Sequence, residues 1–190
     1  MKEIVLIGGP NGAGKTTAAR VLLADFFNLH EFLNADEIAR QIAPQNVESA
    51  ALGAGRRMIE RMRDLVRRGE SFGFETTCAG RSYVPLLERC KWDGWLVRLL
   101  FFCLPSPEYA ISRVARRVSQ GGHSIPAEVI QRRFYAGLFN MRNFYLPLAD
   151  DAEIYDNSDR QRLLIAEKRA GRPLLIYDPE RWRQIEEARQ

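Results

Sequence analysis

Ile4-Val5-Leu6-Ile7-Gly8-Gly9-Pro10-Asn11-Gly12-Ala13-Gly14-Lys15-Thr16 lies at the start of the chain and decides its fold. Met1 to Ile7 reads as a buried strand, and Thr17 to Leu23 as the beginning of a helix. Between them Gly9, Gly14, Lys15 and Thr16 fit G-x-x-x-x-G-K-[ST], a phosphate-binding loop. The glycines allow several N–H groups to converge on one anion, and the helix N-terminus adds partial positive charge. Lys15 is expected to reach the β/γ-phosphates, and the Thr16 hydroxyl to ligate Mg²⁺. Gly9, Pro10, Asn11, Gly12, Ala13, Gly14, Lys15, Thr16 and Thr17 are therefore assigned to a nucleoside triphosphate. The alternative, a chance glycine-rich turn, leaves the flanking strand and helix unexplained.

The 190 residues, 46% of them hydrophobic, can fill one core. No apolar stretch approaches the ~20 residues that span a bilayer, and no signal peptide precedes the first strand. Cys78, Cys90 and Cys103 are odd in number and widely spaced, and His30 and His123 have no neighbouring ligands for zinc. A reduced, cytoplasmic protein with no membrane association is expected. The net charge of +4 comes almost wholly from arginine, since Lys2, Lys15, Lys91 and Lys168 are the only lysines. Arginine favours anionic substrates, although an arginine-rich composition would account for the charge equally well. No basic stretch is interleaved with stacking aromatics, which argues against nucleic acid.

Apolar runs alternate with helical segments, the pattern of an α/β protein with a parallel sheet. Strands are expected at Leu29–Asn34, Ser71–Glu75, Trp95–Leu104 (the central one) and Glu153–Asp156. Helices are expected at Asp36–Ile42, 50–68, Ser82–Lys91, Pro107–Val118 and Pro126–Tyr145, with Ser124 as N-cap of the last. In helix 50–68 Met58, Met62, Leu65 and Val66 mark the inward face. Its arginines read as a solvated surface. Gly121-Gly122 reads as a flexible junction. Arg162–Lys168 and Arg172–Tyr177 flank a turn and form an antiparallel hairpin, followed by a helix from Pro179. Without repeats or linkers, residues 1–190 form one domain.

In an open parallel sheet, functional groups collect at the carboxyl ends of the strands. Asp36 follows the second strand and is the expected base for an acceptor hydroxyl; its alternative role is to cap the next helix. Glu75 ends the third strand, placed for Mg²⁺-bound water or a substrate hydroxyl, or else satisfied by backbone N–H groups. Thr76 and Thr77 add hydroxyls for a substrate. Arg113, Arg116 and Arg117 share a helix face, and Arg132 and Arg133 follow beyond the glycine pair. Two arginine clusters around a glycine-hinged loop read as a lid that stabilises transferring phosphate and excludes water. His123, in that loop, is assigned to substrate rather than to a metal.

Together these residues resemble the zeta-toxin family of P-loop kinases. The matching pieces are Gly8 to Thr16, Asn34-Ala35-Asp36-Glu37, Phe74-Glu75-Thr76-Thr77, Arg113 to Arg117, Gly121 to Pro126 with Arg132-Arg133, and Ile176-Tyr177-Asp178-Pro179. They span nearly the whole chain. The resemblance implies a three-layer P-loop kinase fold: a five-stranded, mainly parallel sheet with helices on both faces, an arginine-bearing helical lid, and a C-terminal hairpin and helix. It implies ATP- or GTP-dependent phosphorylation of a hydroxyl on a nucleotide sugar. In the toxins this is the 3′-hydroxyl of the amino sugar of UDP-N-acetylglucosamine. It implies Lys15 and Thr16 at the phosphates and Mg²⁺, Asp36 as base, Glu75 and Thr76 at substrate, and Arg113 or Arg117 as the lid arginine. A toxin would also need a neutralising antitoxin partner. The toxins carry a second arginine shortly before the lid proline, where this chain has His123; Arg132 or Arg133 would supply that charge. The match to the family's small bacterial members is closer than to the toxins.

Two other readings stay open: a P-loop kinase of another metabolite or of a nucleic-acid end, and a nucleotide-binding regulatory module. Against the second, Asp36 and the lid arginines suit an acceptor better than a switch, and no guanine-recognition motif is present.

Overall fold

Five residues in a row are buried in β1 (Glu3–Gly8), and five in β4 (Leu96–Cys103). A strand hides consecutive side chains only when both faces of its sheet are covered. The computed structural model, which describes residues 2–25, 29, 31–46, 49–122, 124–159 and 161–188, shows this arrangement. The remaining strands are β2 (Phe32–Asn34), β3 (Phe72–Thr76), β5 (Asp151–Asp156), β6 (Leu163–Lys168) and β7 (Leu175–Ile176). They form one sheet in the order β2-β3-β1-β4-β5-β6-β7, with helices on both faces. The first five strands of that order run parallel. The last two are antiparallel.

The expected five-stranded core with a separate hairpin is thus one seven-stranded sheet. β6 pairs along β5 from Ala152↔Lys168 to Asp156↔Leu163, so the hairpin extends the sheet. The strand expected from Leu29 begins only at Phe32. β4 is central, as its apolar run predicts. β1 lies between β3 and β4, its chain neighbours on opposite sides. That reversal opens a crevice at the carboxyl end of β1, where the phosphate loop leaves the sheet.

Helices α1 (Lys15–Asp25), α2 (Ala35–Ile42), α3 (Ala51–Arg68), α4 (Val84–Trp92), α5 (Pro107–Ser119), α6 (Ala127–Asn140), α7 (Leu146–Leu148) and α8 (Pro179–Glu187) complete the fold. In α3 the buried residues Ala54, Met58, Met62 and Leu65 recur at helical spacing, while Arg56, Arg57, Arg63, Arg67 and Arg68 are exposed, as expected of a solvated face. Gly69, at φ 70°, stops this helix in the left-handed conformation. No helix among the described residues is long and apolar enough to cross a membrane.

The helix expected over Pro126–Tyr145 departs from its simple form at both ends. Ser124 is not its cap: the residue before α6 is Pro126, and no side chain caps the first turn. At the other end α6 widens into a π-helical turn, Met141–Tyr145, before α7. The Gly121-Gly122 junction is also ordered differently. Gly122 N–H donates to the Arg117 carbonyl at 3.0 Å and Gly121 N–H to that of Val118 at 2.9 Å. With Gly121 at φ 88°, the pair closes α5 as a Schellman cap rather than a loose hinge.

Candidate active site

The carboxyl ends of β1, β2 and β3 bring together the residues that the sequence singled out. Gly9 leaves β1 at φ 143°, and a Cβ there would lie 2.4 Å from the Phe102 carbonyl oxygen, so only glycine lets the loop turn against β4. Lys15 is 7% exposed, its Nζ donating to the Pro10 carbonyl at 3.0 Å. Burial lowers its pKa, opposed by the charges of Glu75 and Asp36. The ammonium thus rests on the loop's own backbone, aimed at the concavity a phosphate would fill.

Asn34 pairs in register with Glu75 across β2 and β3. This explains a compact polar cluster. Glu75 Oε2 accepts from Thr16 Oγ1 at 2.8 Å and from Asn34 Nδ2 at 3.1 Å, while Oε1 lies 4.0 Å from Lys15 Nζ. Glu75 is therefore satisfied by side chains of the phosphate loop and β2, not by backbone N–H groups. The hydroxyl of Thr16 and the carboxylate of Glu75 form a hard-oxygen set that fits Mg²⁺. Asn34 also settles the capping question. Its Oδ1 accepts from Asp36 N at 2.8 Å and Glu37 N at 3.4 Å, so Asn34, not Asp36, caps α2. The Asp36 carboxylate is left exposed, with no hydrogen bond or ion pair among the described residues.

A cavity of about 310 Å³ adjoins this cluster, lined by Lys15, Asp36, Glu75, Thr76, Thr77 and Arg133 among others. Thr76 Oγ1 accepts from Cys78 N at 3.0 Å and Thr77 Oγ1 from Ala79 N at 3.4 Å. Each hydroxyl keeps a proton to donate. These bonds hold Cys78 at φ 57°, a left-handed turn in a residue other than glycine. Asn11 also lines the cavity, is 6% exposed, and has an Oδ1 with no hydrogen-bond partner among the described residues.

The cavity wall after β3 is pinned from α6 and the π turn, which the sequence gave no means of foreseeing. Buried Asn140 donates from Nδ2 to the carbonyls of Cys78 and Ala79, each at 3.0 Å, and its Oδ1 accepts from Arg81 Nε at 3.1 Å. Tyr145 Oη donates to the Gly80 carbonyl at 2.6 Å. Gly137 lets α6 approach this closely, since a Cβ there would stand 2.5 Å from the Thr77 oxygen. The same helix carries Val129 and Arg133 into the cavity lining.

The arginines divide. Arg113 Nη1 donates to the Asn157 carbonyl at 2.6 Å, and Asn157 Nδ2 donates to the Ala13 carbonyl at 2.7 Å. These two residues brace the phosphate loop from its β5 side. Asn157 was missed, although a polar residue just past a strand's carboxyl end is a readable signal. Arg117 is exposed in the last turn of α5, and its charge acts on Lys15. Arg133 lines the cavity; Arg132 is exposed and does not. His123 lies outside the described residues.

Residues 4–136 match the family model described as AAA domain. The chain belongs to that family. An uncharacterized AAA-domain relative from Haemophilus influenzae is 31% identical over 126 residues, covering 66% of this chain and 88% of its own. A structure from the PezAT chromosomal toxin-antitoxin system of Streptococcus pneumoniae superposes with a TM-score of 0.66 at 20% identity, covering 88% of this chain and 72% of that one. An AvrRxo1-ORF1:-ORF2 structure with ATP gives 0.74 at 15% identity, covering 100% of this chain and 65% of that one, just under two-thirds of its length. The fold of this AAA-domain protein is the zeta-toxin-like P-loop kinase fold expected from its sequence.

Proposed function

We propose that the protein is a kinase that moves the γ-phosphate of ATP or GTP to a hydroxyl of a small molecule in the cavity. The observation that carries this reading is the cavity's position. It opens directly onto Lys15 and the Thr16–Glu75 pair, and offers one unpartnered carboxylate, Asp36, at its wall.

In this mechanism the loop Gly9–Thr17 cradles the triphosphate, and Lys15 leaves the Pro10 carbonyl for the β/γ-phosphates. Mg²⁺, held by Thr16 and through water by Glu75, would offset phosphate charge when bound. Asp36 accepts the proton of the acceptor hydroxyl as its oxygen bonds to the γ-phosphorus. The bond from that phosphorus to the β–γ bridging oxygen breaks, and the nucleoside diphosphate leaves. Arg117 steadies the transferring group from the lid, while Thr76, Thr77 and Arg133 hold the acceptor. The finer reading, supported by the resemblance of its motifs, makes that acceptor a UDP-amino-sugar such as UDP-N-acetylglucosamine.

The test is incubation with labelled ATP, Mg²⁺ and a panel of UDP-sugars, monosaccharides, sugar acids, sugar phosphates and nucleosides, read by mass spectrometry. A phosphorylated acceptor is expected. Release of ADP without any phosphorylated acceptor would turn the reading toward a regulatory nucleotide-binding module.

A further inference from the structure

Gly55 lies in the interior of α3, a place where glycine is among the least favourable residues for a helix. Packing does not demand it there, because a Cβ built on Gly55 meets no atom within 4 Å. The position instead lines the cavity, together with Ala51 one turn earlier and Ala39 of α2. Small side chains alone only leave room. The independent sign that the room takes a ligand is Asn11, buried in the same lining with an unpartnered Oδ1. This stretch of wall offers no polar side chain, so whatever rests on it does so through carbon.

We infer that Gly55 is a specificity-determining residue, keeping open the space against which the carbon face of the acceptor's ring lies while its hydroxyl meets Asp36. The inference rests on the kinase reading above and adds to it the class of acceptor: a ring compound with one apolar face. A larger residue at this position would shorten the range of acceptors without touching the donor site.

Gly53 supplies the control. It belongs to the same helix but not to the cavity lining, and a Cβ there would make an ordinary 4.0 Å contact with Ile42 Cδ1. Gly53→Ala and Gly55→Ala should each raise the melting temperature by about 2–4 °C. A Gly55→Ala variant no more stable than wild type would show that packing, not ligand space, selects glycine there, and would overturn the inference. With the acceptors that the panel identifies, Gly55→Leu should raise KM at least tenfold or abolish transfer, at unchanged ATP affinity. Gly53→Ala should behave as wild type. An unchanged KM in Gly55→Leu overturns the inference.

If the wild type phosphorylates nothing in the panel, that counts against the kinase reading, and a chemical probe then decides on Gly55 alone. Cys78, Cys90 and Cys103 are buried, so the wild type should react slowly with iodoacetamide. The Gly55→Cys variant should be alkylated rapidly, at one additional site. Alkylation no faster than in the wild type would mean that the space is closed, and would overturn the inference.

Discussion

Asp36 and Glu75 line one cavity but differ in what already holds them. Glu75 is engaged by Thr16, Asn34 and Lys15, whereas Asp36 has its backbone N–H capped and its carboxylate open. The difference makes their variants separable. Asp36→Asn should lower transfer by ~10²–10⁴-fold, the usual worth of general-base catalysis, with ATP affinity within a few-fold in a direct binding measurement. Full activity would remove Asp36 from the mechanism. Lys15→Ala should eliminate turnover and weaken triphosphate binding; an unchanged Kd by titration calorimetry would place the nucleotide elsewhere. The two lid arginines should part in the same way. Arg117→Ala is expected to lower kcat more than it raises KM, the mark of a contact made in the transition state. Arg113→Ala removes the bond to the Asn157 carbonyl, so its first effect should be a lower melting temperature.

At the level of elements, the clamp between α6 and the loop after β3 is the feature on which the cavity's shape depends. Asn140→Ala would leave two inward-facing carbonyls and the Arg81 guanidinium short of a partner, a cost of about 1–3 kcal/mol. Urea unfolding should show that loss, and acceptor KM should rise while ATP affinity holds, because the phosphate loop has its own supports in Asn157 and Arg113. The strands and most helices were legible because apolar runs and helical spacing are local properties of the chain. So were Lys15, Thr16, Asp36 and Glu75, whose places follow from their positions after strands. Asn140, Asn157 and Tyr145 act through contacts 62 to 144 residues away in sequence, and no local pattern announces such partners. Ser124 misled for a related reason: serine before proline and glutamate looks like a cap, but the chain enters α6 extended at Pro126 and Ser124 turns to the cavity instead.

Across the whole molecule, the seven-stranded sheet ends in its two shortest strands, β2 with three residues and β7 with two. Short edges offer little template for pairing with another chain. They also leave the stability of the central strands to be read through ligand binding at their carboxyl ends. ATP at one hundred times its Kd should stabilise the fold by about 2.7 kcal/mol, or roughly 5–11 °C in melting temperature. Scanning fluorimetry should register this shift in the wild type and in Asp36→Asn but not in Lys15→Ala. A shift retained by Lys15→Ala would separate the stabilising site from the phosphate loop.

The wide turn at Met141–Tyr145 has a consequence for how the chain's length can vary. A π turn amounts to one residue inserted into an α-helix. Deleting one residue there would let the backbone close into regular α geometry and rotate everything beyond it by about 100°. The Tyr145 hydroxyl would swing away from the Gly80 carbonyl, and the cavity wall would lose that anchor although no residue touching a substrate had changed. Near Ala170 and Gly171, at the exposed tip between β6 and β7, adding or removing a residue would alter only a turn. Tolerance to insertions and deletions is therefore set here by helical phase, and its sharpest boundary lies one helix away from the chemistry.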